Sequence, residues 1–324
     1  MNSVSIVIVN WNGGDLLLKC LEGIRQQTVV PEEVIIVDND SRDGSLNSMG
    51  TLPPNTTILK QKINGGFAMG CNVGIASAKS GNWIALLNPD ALPEPEWLER
   101  LLDVARKNSD YSFFASQLID ANDPTRLDGE GDIYHVSGLA WRRHHHQQRN
   151  VSLEVDEEIF APCAAAALYK REALVDVGGF DEDFFCYFED IDLAFRLQLK
   201  GYRCLYVPSS KVAHIGSGIT GKTSDFTIYH GHRNLVWTFV KNMPAPLLRH
   251  YLFQHLVLNL ASIVRFLFLG RGRVILSAKW DALRRIRFFL IKRKKTQQNV
   301  ASQVSRIDSL MKRGFFTPYL GRHG

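Results

Sequence analysis

Carboxylates nearly vanish toward the end of this 324-residue chain: beyond Thr223 only Asp225, Asp281 and Asp308 remain. Between residues 271 and 295, Arg271, Arg273, Lys279, Arg284, Arg285, Arg287 and Lys292 through Lys295 face Asp281 alone, so the chain before Gly270 is net acidic. The basic surface that seeks a partner is therefore C-terminal. Cysteine is also scarce. The five, Cys20, Cys71, Cys163, Cys186 and Cys204, are odd in number and contain no Cys-x-x-Cys pair. That argues against a disulfide scaffold or a zinc ribbon and suits a reducing cytosol. Met1-Asn2-Ser3 lacks the basic start of a secretory leader, so none is expected. No internal repeat is evident. The most apolar stretch, Leu247 to Leu269, is interrupted by His250, Gln254, His255, Asn259 and Arg265 before it reaches a clean spanning length. It reads instead as an interfacial helix whose basic continuation would meet an anionic membrane surface. Nucleic acid is not expected, because the interleaving residues are hydrophobic rather than base-stacking.

What is present is the composition of a soluble globular protein, 45% hydrophobic and 22% charged, long enough for a full core. Ser5–Val9, Val34–Val37, Thr57–Leu59 and Trp83–Leu87 are continuous apolar runs, as in strands buried on both faces. Leu16–Gln27, Phe67–Lys79 and Pro95–Lys107 between and after them have helical spacing. The sum is an α/β fold with a mainly parallel sheet. Residues 120–160 read as a long polar excursion with an internal His144-His145-His146. Glu172–Val177 and Asp192–Lys200 read as helices, and Cys204–Val207 and Lys211–Ile215 as two strands. From Leu247 to about residue 295 the pattern is helical, followed by a polar tail. We expect a catalytic domain over 1–243 and a helical, basic, membrane-associating region over 244–324.

In such sheets ligands bind beyond the carboxyl ends of the strands, here Asn10-Trp11-Asn12, Asp38-Asn39-Asp40 and Asn88-Pro89-Asp90. A carboxylate such as Asp90 can hold a divalent ion that also grips a diphosphate, although Asn, Pro and Asp also form plain turns. Asp38 can accept from a base or a sugar hydroxyl, and Asn64-Gly65-Gly66 can bring backbone amides close to a ligand. His214, alone at a strand end, is a candidate metal ligand only if Asp90 is near. Glu189, Asp190 and Asp192 stand behind the aromatic run Phe184-Phe-Cys-Tyr-Phe188. Asp192 and Arg196 are four apart and read as a helical ion pair. Glu189 and Asp190 lie at the helix start, where the dipole favours their anions, and Asp190 is the better placed as a base. Gly216-Ser-Gly-Ile-Thr-Gly-Lys222-Thr223 matches the phosphate-loop spacing, yet no apolar strand ending in Asp follows to organise Mg2+. A P-loop NTPase or phosphotransferase is thus an alternative reading, as is a non-catalytic binder of nucleotide sugar or nucleic acid.

Taken together, Val7-Ile-Val-Asn-Trp-Asn12, Val37-Asp-Asn-Asp-Ser41, Asn64-Gly-Gly-Phe67 with Asn72, Leu87-Asn-Pro-Asp-Ala91, Gly178-Gly-Phe-Asp181, Phe188-Glu-Asp-Ile-Asp-Leu193 and Val212-Ala-His214 resemble the family 2 glycosyltransferases. The likeness runs from about residue 4 to 240 and is similar to the bacterial rhamnosyltransferase-type branch that builds lipid-linked surface polysaccharide. It implies a glycosyltransferase A-type fold and an inverting transfer from a nucleotide diphosphate sugar to a lipid-linked saccharide, at the cytoplasmic face of a bacterial inner membrane. By the resemblance Asp190 would be the base, with Glu189 beside it, and Asp38 would contact the nucleobase. Asn10, Asn12, Asn64, Gly66 and Asn72 would line the donor site. Asn88 and Asp90 would occupy the Asp-x-Asp motif, and Asp90 with His214 would hold Mg2+ or Mn2+. Asn88 stands where the family often has Asp, so one metal-facing charge is missing.

Overall fold

The computed structural model describes residues 3–47, 49–79, 81–150, 155–216, 224–298 and 300–319. The phosphate-loop spacing falls almost wholly outside them. The first half runs β1 Val4–Asn10, α1 Gly14–Arg25, β2 Glu33–Asp38, β3 Thr56–Lys60, α2 Gly66–Ser77, β4 Trp83–Leu87, β5 Ala91–Pro93, α3 Trp97–Lys107 and β6 Phe113–Asp120. The short strands β7 Leu127–Gly129, β8 Asp132–Tyr134, β9 Ala140–Arg142 and β10 Glu157–Ile159 follow, then β11 Ala166–Lys170, α4 Arg171–Val177, α5 Glu189–Leu199 and β12 Cys204–His214. Helices close the chain: α6 Asp225–Asn242, α7 Ala245–Phe268, α8 Gly272–Arg284, α9 Ile286–Thr296 and α10 Val304–Leu310.

The 10-stranded sheet has the order β10-β12-β6-β11-β4-β1-β2-β3, with β5 on β12 and β7 on β6. The β4-β1-β2-β3 half is parallel, as the alternating strands and helices dictate. Beyond it, β11 runs antiparallel to both β4 and β6, while β12 is parallel to β6. Strand alternation sends Val7 and Val9 toward α2 and α5, and Ile6 and Ile8 toward α1 and α3, giving two buried layers. Each such side chain is worth about 1.5–3 kcal/mol when fully buried.

Three features depart from the sequence reading. The polar excursion is structured: β7 joins the main sheet, and β8 and β9 form a separate hairpin. The two strands expected near residues 204 and 215 are one, β12, whose register shifts between Val207 and Lys211. The polar tail folds back, with Ile307 buried and the Lys312 N–H donating to the Tyr134 carbonyl at 2.9 Å.

The C-terminal helices share a cluster in which Trp237 of α6 stacks on Phe289 of α9, ring centroids 4.3 Å apart. Leu247, Tyr251, His255 and Leu258 form the buried stripe of α7.

Candidate active site

The register of β12 on β5 places His214 opposite Ala91, and thereby beside Asp90. His214 is 2% exposed; its Nε2 lies 3.4 Å from Asp90 Oδ1 and its Nδ1 2.7 Å from Asp128 Oδ2. Asp128, on β7, is in turn paired with Arg142. Burial pushes the imidazole pKa down, but the hydrogen bond to Asp128 and the nearby Asp90 carboxylate outweigh it and the net shift is upward. Burial likewise acts to raise both carboxyls, yet His214 and Arg142 hold Asp90 below its usual range and Asp128 at about 2.

These residues fit a hard divalent cation. A carboxylate on one ring nitrogen orients the other toward a metal. Here Asp128 holds Nδ1, while Nε2 of His214 and Oδ1 of Asn88 are buried without a hydrogen-bond partner. One imidazole nitrogen with carboxylate and amide oxygens is a donor set that Mg2+ or Mn2+ accepts. The two carboxylates that raise the imidazole pKa would favour a cation for the same reason.

Asp190, in the first turn of α5, is also within electrostatic reach of Arg142. Its Oδ1 accepts from the Ile191 N–H at 2.8 Å. Asp132, Cys163 and Asp190 bring ligand-capable atoms within 4.8 Å of one another. The thiol makes this trio a poor match for a hard cation, since burial raises the Cys163 pKa and keeps it protonated. It does make a proton-sharing site. Burial drives Asp190 upward against the pull of the Ile191 and Ala164 amides and of Arg142. Asp132 is raised by burial and then by Asp190 itself. Glu189 is raised by burial and by Asp190, and its charge is felt most at Cys71 and Cys186, on the α2 side. The helix dipole was expected to favour both anions; desolvation prevails instead. Asp192 takes no part, because it is buried in a network with Arg196, Lys241 and Asn242.

Several residues expected at the donor also take part in the framework. Asn10 is buried, and its Nδ2 reaches Asp38 Oδ1 at 2.9 Å, Ser45 Oγ at 3.0 Å and Ser41 Oγ at 3.1 Å. Asn12 Oδ1 accepts from the Arg42 N–H at 2.8 Å, binding the loops after β1 and β2 together. Asn72 Nδ2 donates to Phe180 O and Glu182 Oε1, and its Oδ1 accepts from the Phe180 N–H, so both ends of its amide are spent on the segment before Asp190. Asn64 accepts from the Gly66 N–H at 2.9 Å in a local turn. Gly66 has φ +85°, and a Cβ there would lie 2.4 Å from the Phe185 carbonyl oxygen. Its missing side chain makes room for the protein's own backbone. Asp38 keeps its place at the end of β2.

That backbone is strained. Phe185, Tyr187 and Phe188 have φ of +66°, +66° and +68°, costing about 1–3 kcal/mol each. Asn234 of α6 holds it: its Nδ2 lies 2.9, 2.9 and 2.7 Å from the carbonyls of Phe184, Cys186 and Tyr187. Asp128, Asp132, Arg142 and Asn234 were all missed by motif reasoning. The alternation Asp128-Gly-Glu130-Gly-Asp132 was the one available signal. The three histidines 144–146 are taken up by carboxylates and a carbonyl of the same region, with His144 on Glu130 and His145 on Asp128 O.

Residues 5–178 match the family model described as "Glycosyl transferase family 2". The chain is 29% identical over 245 residues to N-acetylglucosaminyl-diphospho-decaprenol L-rhamnosyltransferase of Mycobacterium tuberculosis (strain CDC 1551 / Oshkosh), covering 67% of this chain and 77% of that one. Against the galactofuranosyltransferase GlfT1 of the same organism it is 29% identical over 207 residues, 61% and 66% of the two chains. Among solved structures, GalNAc-T7 with UDP, GalNAc and Mn2+ is similar at TM-score 0.60 and 16% identity, over 74% of this chain and 48% of that one. The mannosyltransferase PcManGT from Pyrobaculum calidifontis, in complex with GDP-Man and Mn2+, is similar at TM-score 0.53 and 17% identity, over 95% and 84%. At these identities the structures speak for a shared glycosyltransferase A-type fold.

Proposed function

The chain belongs to glycosyl transferase family 2, and from that membership we propose an inverting transfer of a sugar, rhamnose first among the candidates, from a nucleotide diphosphate sugar to a lipid-diphosphate-linked saccharide. The observation that carries the reading is the pairing of two chemically different centres about Arg142. In one, His214 stands between Asp90 and Asp128; in the other, Asp190 lies close to Asp132, and Arg142 acts on carboxylates of both. Asp90 and His214, with Asn88 beside them, would hold Mg2+ or Mn2+, which when bound neutralises charge on the leaving diphosphate. Asp38 would accept from the nucleobase. Ionised Asp190 takes the proton of the acceptor hydroxyl as that oxygen bonds to the anomeric carbon, while the bond to the diphosphate breaks on the opposite face. A single displacement inverts the configuration and needs no protein nucleophile. The acceptor class is supported by the diphospho-decaprenol in the name of the mycobacterial relative.

Attachment to the cytoplasmic face of the inner membrane completes the reading. By length and composition α7 could cross a bilayer, but its Leu247–Leu258 stripe is packed on the protein while Phe253, Leu256, Leu260, Leu267 and Phe268 are exposed. With one face packed on the protein, the exposed apolar face would lie in the interface. A thermal-shift screen of nucleotide diphosphate sugars with Mn2+ or Mg2+ tests the donor, since a ligand of the folded state raises its melting point. The anomeric configuration of the product, read by NMR, tests inversion. Melting unchanged by every nucleotide sugar, or a product of retained configuration, would overturn the proposal.

A further inference from the structure

Behind the strained segment lies a cleft of about 420 Å³, lined by Tyr229, Arg233, Trp237, Asp281, Arg284 and Arg285. Three guanidiniums meet there against one carboxylate, and Asp281 is already engaged by the Tyr229 hydroxyl at 2.6 Å. Arg233 is partly buried, with its guanidinium 4.3 Å from the centroid of the Trp237 ring. Its guanidinium hydrogen-bonds to the carbonyls of Asp183 and Phe184, to Asn234 and to His230. Among the described residues no carboxylate forms an ion pair with Arg233 or Arg284. Arg285 is paired with Asp183 at 2.7 Å. Burial acts to lower the Arg233 pKa, as expected of a cation short of counter-charge.

An apolar, open face adjoins the cleft at Arg284: one turn before it on α8, Trp280 is 67% exposed and shares a face with Leu276 and Leu283 at 49% and 60%, while Phe288 of α9 lies under Arg285 at 5.0 Å. Two guanidiniums without an ion-pair partner among the described residues, those of Arg233 and Arg284, suit phosphate oxygens, which such groups can grip through charge-assisted hydrogen bonds. The exposed stripe beside it suits a hydrocarbon chain. The cleft is also tied to the catalytic segment, because Arg233 Nη2 donates to the Phe184 carbonyl at 3.0 Å. Phe184 precedes Asp190 by six residues, so the two are at most roughly 20 Å apart along extended chain.

Resting on the acceptor class proposed above, we infer that this cleft binds the diphosphate of the lipid-linked acceptor, with Arg233 and Arg284 on the phosphates and the isoprenoid chain along Leu276, Trp280 and Leu283. The saccharide then extends from the phosphates toward Asp190. This division of the acceptor keeps lipid and leaving nucleotide apart: one diphosphate lies at the arginine cleft, the other at Asp90 and His214.

The test is calorimetric titration of the full chain with farnesyl diphosphate, without any sugar donor. Wild type should bind saturably. Arg284→Gln, at an exposed position, should leave melting unchanged and weaken binding about 10-fold or more, the loss of one charge-assisted contact; Arg233→Gln should weaken it further. Equal binding by wild type and Arg284→Gln overturns the assignment, as does no binding by wild type. Displacement of farnesyl diphosphate by dihexanoyl phosphatidylglycerol, mole for mole, also overturns it and makes the cleft a general lipid-headgroup contact. Since the probe carries no sugar, failure of glycosyl transfer leaves this result readable by itself.

Discussion

Asp190 has to lose a proton in a place that disfavours anions. Burial raises its pKa, and Asp132 next to it is raised by the same burial and by Asp190's charge. The sign follows: a base works only when ionised, so kcat/KM should rise with pH and level off above the ordinary carboxylate range. Burial and Asp190 hold Asp132 protonated up to about pH 8, so Asp132→Asn, which mimics the neutral form, should leave that rise in place; a rise moved to lower pH would show that it is Asp132 that ionises beside Asp190. At the other centre, Asp128→Asn weakens the grip on His214 Nδ1 and should cost about 10–100-fold in Mn2+ affinity, measured by titration. Asp90, His214 and Asp190 were legible because each ends a strand or opens a helix within a recognisable motif. Asp128, Asp132 and Arg142 were not. Their meaning comes from the β7 and β8–β9 pairings, which bring residues from a polar, unperiodic stretch against the end of β12.

At the scale of elements, α5 and α6 act as a pair. Asp192 and Arg196 read in sequence as a surface pair worth a few tenths of a kcal/mol, about 0.2–0.5. In the fold, Asp192 is fully buried, and Lys241 reaches both it and Asp181. Asp192→Ala strands Lys241 and Arg196 and should destabilise by about 3–5 kcal/mol in denaturant unfolding. Asn234→Ala releases the carbonyls that restrain three left-handed residues. It should lower kcat well beyond any change in donor affinity, and an undiminished kcat would show that the strained segment holds its shape alone. Between α6 and α8, burial lowers the Lys279 pKa from its ordinary 10.5 to about 7. Between those values the unfolded chain holds a proton that the native state has shed, so stability rises with pH across that window. Lys279→Met should therefore raise the melting temperature most below pH 7, with an advantage that shrinks toward pH 10.

Across the whole molecule, the parallel half of the sheet was legible because its strands are unbroken apolar runs. The antiparallel half was hidden for physical reasons. Strand β6 carries Ser116 and Gln117 at mid-length, both buried, with Ser116 accepting from Trp97 and Gln117 donating to Tyr206. Strand β11 follows Ala164 and Ala165 and itself begins with two alanines, which favour helix in isolation. The C-terminal helices combine an exposed apolar face with many cations. Liposome flotation of the full chain should need anionic lipid at low salt and weaken without vanishing at high salt, because only the charge attraction is screened. Flotation indifferent to lipid charge would remove the basic surface from the attachment.

The central claim is that Asp190 moves the acceptor proton while separate residues hold the donor. Single-turnover transfer by Asp190→Asn, measured together with its donor affinity, tests it most directly. The account predicts donor affinity close to wild type and a transfer rate lower by about 10²–10⁴-fold, the usual worth of a general base. A transfer rate near wild type, with donor affinity intact, would contradict it.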